Sequence, residues 1–249
     1  SGTAGCDWQW PDGREPKKAE LQSLTACVQD DEGFTSEHIA VTAEIAYPEQ
    51  GFLLKWCIWA YPDAPGIRTQ LALRHTGDRS ALDLPALQGE PPDTRVERIP
   101  IGDTRMRRRL FGYYNETQQR NDTHQDLIKE ELVTHPLLGR EWCDWASVAC
   151  VEDDQAGVAL VKESHKCVNQ RGHATGGFVF DEADGLFCTG WGFQPNDIAE
   201  DEFSVAWATW CLTWAGGDLE RERAFKVFDR FRYPIDPDRD IYIQANTWG

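Results

Sequence analysis

Between Ile39 and Tyr47 apolar side chains alternate with small or polar ones, the period-two pattern of a strand with one buried face. A longer β-type run, Phe52 to Tyr61, restarts after Gly51. It closes at Pro62-Asp63-Ala64-Pro65-Gly66, where fixed proline φ angles and a permissive glycine favour a turn. Ile67 to Arg74 returns as a further strand. The same rhythm recurs at Gly157 to Val161, Gly177 to Phe180, Leu186 to Thr189 and Phe203 to Trp214, each bounded by Gly, Asp, Asn or Pro clusters. Many strands at short spacing predict an all-β antiparallel sandwich. Gly185 and its neighbours Gly190 and Gly192 read as turn residues between strands.

Helix is scarce in this pattern. Asp126 to Leu138 is charged and reads as a short helix before Gly139. A clearer case starts at Gly216-Gly217-Asp218. Asp218 is placed to cap free amides, and Leu219, Ala224, Phe225, Phe228 and Phe231 then recur at helical spacing until Pro234. The expected organisation is a sandwich over residues 1–215, a C-terminal linker helix and turn over 216–239, and a new β-type run, Ile241 to Ala245, within 240–249. An apolar strand beyond a helical linker reads as the first element of another domain.

Composition narrows the partners. The chain has 249 residues and a formal charge of −17, which repels nucleic acid phosphates and anionic membranes, so neither is expected. No stretch has the roughly 18 apolar residues that span a bilayer; a soluble protein is expected, in the cytoplasm or secreted. The basic run Arg105, Arg107, Arg108 and Arg109 could bind phosphate, but in so acidic a chain it reads better as a solvated or salt-bridged strand. The eight cysteines lack zinc spacing, and those in apolar runs, such as Cys57, read as buried thiols rather than disulfides. The sequons at Asn115 and Asn121 leave the compartment open.

The chain carries no nucleophile elbow and no phosphate loop with its lysine. No metal or cofactor is implied; His165 and His173 are the closest histidine pair and read as structural. With 42 acidic residues, pairing carboxylates by sequence carries no information. Tryptophan stands out, with 11. Indole faces stack on the C–H face of sugars, so the chemistry suggested is carbohydrate contact. Trp56, Trp59, Trp207, Trp210 and Trp214 lie in strand-like runs and read as core, whereas Trp191, between Gly190 and Gly192, is the candidate sugar contact.

The order of these pieces resembles family-36 glycoside hydrolases, the α-galactosidases and their relatives. Trp59 to Arg68 looks like a strand-turn-strand of their N-terminal domain, and Leu82-Asp83-Leu84-Pro85 is similar to a further strand there. Asp240-Ile241-Tyr242-Ile243-Gln244-Ala245-Asn246-Thr247-Trp248-Gly249 looks like the first strand of their (β/α)8 barrel. Near Leu87-Gln88-Gly89 the family's tryptophan and Arg-Glu pair have no counterpart. The resemblance implies an N-terminal β-supersandwich of galactose-mutarotase-like architecture, packed on a downstream barrel that hydrolyses α-galactosides with retention. The catalytic aspartates would lie beyond residue 249, so none is assigned here, while Asn246 and Trp248 would fall at the strand end that lines the sugar pocket. Two rivals are a free-standing carbohydrate-binding module and an aldose-epimerase-like enzyme, the latter using His165 with Glu163 or His173. An isolated domain would expose apolar surface, including parts of the Leu219 to Phe231 helix, and so could form a homo-oligomer.

Overall fold

The computed structural model describes residues 19–49, 51–77, 95–103, 105–112, 129–143, 145–163, 177–183, 185–189 and 198–240. The elements are β1 (Glu20–Gln29), β2 (His38–Tyr47), β3 (Phe52–Ala60), β4 (Gly66–His75), β5 (Arg95–Ile99), β6 (Arg107–Gly112), β7 (Lys129–Val133), β8 (Arg140–Cys143), β9 (Ala146–Glu152), β10 (Ala156–Lys162), β11 (Phe178–Asp181), β12 (Gly185–Thr189), β13 (Ser204–Val205), β14 (Thr209–Ala215), α1 (Asp218–Arg232) and α2 (Pro237–Asp240). The fold is an antiparallel all-β sandwich with one long C-terminal helix.

A large sheet runs β1-β2-β3-β4-β14-β10-β9-β6-β7, with β13 also paired to β4; a second, four-stranded sheet runs β5-β12-β11-β8. Alternation decides what each face of the large sheet meets. In register, Leu110 opposes Ala149 and Ala149 opposes Leu160. These three face the smaller sheet and pack with Phe178, Phe180 and Leu186 in one apolar core. The other face carries Trp210, Leu212 and Trp214 of β14 and Ala159 and Val161 of β10, and there Ala224 and Phe228 of α1 complete a second core. The large sheet is therefore the middle layer. Gly157 lies opposite Trp214, and a Cβ there would meet the indole Cζ2 at 2.0 Å, so glycine is what lets that ring lie flat on β10.

Several expectations hold closely: the runs at Ile39, Phe52, Ile67, Gly157, Gly177 and Leu186 are β2, β3, β4, β10, β11 and β12. Others need correction. Within Asp126 to Leu138, Lys129–Val133 is a strand, not a helix. It pairs with β6, Glu130 opposite Phe111, and the Glu130 carboxylate binds Arg109, so tertiary pairing overrides the local preference. Phe203 to Trp214 is broken into β13 and β14 rather than continuous. At the start of α1 the cap is Gly217, and Asp218 is the first helical residue. Glu220 accepts the Gly217 N–H at 3.1 Å, while Asp218 turns instead to Arg221 at 2.7 Å. The six described cysteines are thiols rather than disulfides, with Cys143, Cys150 and Cys188 buried, Cys27 exposed, and Cys57, expected to be buried, only half-buried like Cys211. Cys6, Cys167, both sequons, Leu82 to Pro85 and the Ile241 to Ala245 run lie outside the described residues.

Candidate functional site

The polar groups that matter most lie where α1 meets the large sheet. Cross-strand register sets Trp59 opposite Arg68 and Arg68 opposite Trp210. The guanidinium of Arg68 thus lies over Trp59, 4.3 Å from the ring centre, a cation–π contact in a nearly dry setting. Glu163 follows β10 directly and projects from the same face. Its two oxygens accept from Arg68 Nε at 2.9 and 3.1 Å, with a further Arg68 nitrogen at 2.7 Å. From the last turn of α1, Arg232 donates to the same carboxylate, and the Tyr233 hydroxyl donates at 3.2 Å.

These side chains are nearly dry: Arg68 is 7% exposed and Glu163 11%. Burial pushes the Glu163 carboxyl up, but Arg68 and Arg232 outweigh it and hold the group below the ordinary glutamate range. Burial raises the Tyr61 and Tyr233 phenols, so both are neutral at pH 7. The Tyr61 hydroxyl sits 2.8 Å from Thr35 Oγ1, and Thr35 donates to the Phe231 carbonyl at 3.0 Å. The β1–β2 connection therefore holds the end of the helix as well.

A second cluster holds the other end. Glu152, with its side chain 2% exposed, accepts from Arg109 at 2.8 Å and from Arg221 at 3.1 Å. Asp218 braces Arg221 from the first turn of the helix. Two Arg-Glu-Arg triads thus fasten α1 to the sheet at its two ends, with Ala224 and Phe228 packed between. Two charges buried against one opposite charge add geometric definition more than net stability. The arrangement is a clamp that fixes the direction in which the chain leaves the sandwich.

The other arginines of the 105–109 run are also paired, Arg105 to Asp103, Arg107 to Asp154 and Arg108 to Glu141. From Arg107 onward the run is the salt-bridged strand β6, whereas Arg105 lies in the turn before it and stays exposed beside Asp103. Beside the clamp, a shallow groove of about 460 Å³ runs between the Pro62–Pro65 turn and α1, floored by Trp214. Among the described residues no group of three or more His, Cys, Asp or Glu could hold a metal, and no helix is long and apolar enough to cross a membrane.

Of the residues singled out by sequence, Trp191, Asn246, Trp248, His165 and His173 lie outside the described residues. Trp210 and Trp214 are buried, at 7% and 8% exposure, as their strand runs implied, whereas Trp56, Trp59 and Trp207 are only half-buried and Trp207 lies between β13 and β14. Glu163 is in the site, but in a different role: its lone pairs are committed to two arginines and a phenol, so it is not a free base. Arg68, Glu152, Arg221 and Arg232 were missed. One signal was readable: Arg221 and Arg232 fall on the same helical stripe as Ala224, Phe228 and Phe231, and a charge on an apolar stripe requires a buried partner.

No family model matches the chain, and no curated protein matches it. Solved structures do. The GH36 alpha-galactosidase AgaA from Geobacillus stearothermophilus superposes with a TM-score of 0.55 at 8% identity, over 93% of this chain and 33% of its own. The alpha-galactosidase from Lactobacillus brevis gives 0.54 at 11% identity, over 96% and 32%. The galactosidase domain of the alpha-galactosidase-sucrose kinase AgaSK gives 0.52 at 8%, over 87% and 30%. The chain spans about a third of the length of these structures, and across that third it has the fold of a GH36 alpha-galactosidase.

Proposed function

We propose that this chain is the noncatalytic N-terminal domain of a retaining glycoside hydrolase acting on α-galactoside-like substrates. Residues 1–215 form the supersandwich of galactose-mutarotase type, 216–239 the linker, and 240–249 the first strand of a catalytic (β/α)8 barrel. The observation that carries this reading is the fold likeness, which spans nearly all of this chain and only a third of each α-galactosidase. The clamp supports it. A helix fastened at both ends delivers the chain in a fixed direction through Pro234 and α2, as a domain that must hold a neighbour in register requires. Trp191 lends an aromatic face to the rim of the sugar pocket, and Asn246 and Trp248 line it. The epimerase alternative loses one of its bases, because Glu163 is bound on both oxygens.

Replacing Trp191 by Ala in the longer gene product tests the rim assignment. The expected result is a rise in KM for an α-galactoside of about tenfold with kcat retained, since a stacking contact binds substrate and transition state alike. An unchanged KM removes Trp191 from the pocket.

A further inference from the structure

Strand β1 ends the large sheet. It pairs with β2 along its whole length, and among the described residues no strand pairs with its other edge. Ten residues give an open edge roughly 33 Å long, lined with backbone donors and acceptors. Native sheets guard such edges with lysine, proline or short strands. β1 has none of these guards, and its only charged residue is Glu20.

The side chains point the same way. A register shift between Leu21 and Ser23 sets Leu21 opposite Ile45, Leu24 opposite Ala43 and Val28 opposite Ile39. The bulge thereby brings Leu21 onto the face that already holds Leu24 and Val28. Leu21, Leu24 and Val28 are 61, 63 and 63% exposed, and Ile39 is 44% exposed. The opposite face of β1 carries Ser23, Thr25, Cys27 and Gln29. An exposed strand with its apolar side toward solvent is built to be covered.

We propose that the β1 edge joins a second copy of this chain, β1 against β1 in antiparallel register about a two-fold axis. An antiparallel edge is complementary to itself: each copy supplies the donors that the other's acceptors lack, and Leu24 and Val28 gain apolar cross-strand neighbours. Charge selects the place. Two chains of formal charge −17 repel over most of their surfaces, whereas Leu21 to Gln29 carries no charged side chain, and the like charges of Glu20 and Asp30 meet only at the two ends of the paired stretch. Two strands of this length form an interface below the standard size, so the dimer is reversible.

Sedimentation velocity on this chain from about 1 to about 300 µM, the span in which an interface of this class assembles, tests the proposal. The mass is expected to rise toward twice that of the monomer, and the doubly charged variant L24K/V28K to remain monomeric with an unchanged circular dichroism spectrum. Hydrogen exchange on the unmodified chain locates the contact without any substitution: amides of Glu20–Gln29 are expected to slow as concentration rises. A monomer at every concentration, or a dimer in which those amides exchange at a constant rate, overturns the proposal.

Discussion

Phe228 has no solvent exposure. It meets Tyr61 edge-on at 5.5 Å and Trp210 at 5.0 Å, so one ring joins the helix to β14 and to the β3–β4 turn. Truncation to Ala removes the ring and leaves a cavity that rigid strands cannot close; the expected loss is about 3–5 kcal/mol in urea denaturation. Its role was legible, because it stands at the centre of a helical apolar stripe. Cys150 was less so. It is fully buried, and burial raises its thiol far above the ordinary range, which makes it an inert filler of the second core. Nothing in its immediate sequence separates it from Cys27, whose strand lies at the edge. Burial of a small residue is decided by sheet order, which single-residue patterns do not encode.

At the level of elements, runs with clear alternation and glycine or proline boundaries were readable, and those that depend on distant partners were not. β7 illustrates the limit. Lys129–Val133 carries charges suited to a helix, yet Leu132 opposite Arg109 and Glu131 opposite Leu110 place it in the sheet. Helix α1 was readable from its stripe and from Pro234, whereas its anchoring was not, because Glu152 ends β9 and Glu163 follows β10, dozens of residues earlier. The anchoring gives a definite pH dependence. The folded-state value of Glu163 lies below the unfolded one, so the unfolded chain binds the proton more tightly. Its contribution is present above the ordinary glutamate value of about 4.3 and is lost as pH falls through the lower folded value. Glu163→Gln leaves two buried guanidiniums without their carboxylate. The expected result is a loss of about 3 kcal/mol at pH 7 and a shallower decline in stability below about pH 4 than in the unmodified chain. Equal acid sensitivity in both proteins would place the titration elsewhere.

For the molecule as a whole, strand density announced an all-β sandwich, and a few motifs pointed to the α-galactosidase group. The division into a large and a small sheet, with the helix on the large sheet's far face, was not legible: it follows from which strand faces are apolar on both sides, as β10 and β14 are. Among the candidate pocket residues, Asn246 and Trp248 rest on the motif resemblance and Trp191 on its place between two glycines, and all three fall outside the described residues. The structure adds a mechanical element the sequence did not suggest, a helix fastened at both ends by buried ion pairs. In the proposed role, such a helix sets where a following domain would begin. The central claim is tested most directly by assaying hydrolysis of an aryl α-galactoside by the longer gene product and by residues 1–249 alone. Turnover by the longer product and none by the 249-residue chain is the predicted result; turnover by the 249-residue chain, or an inactive longer product, would contradict it.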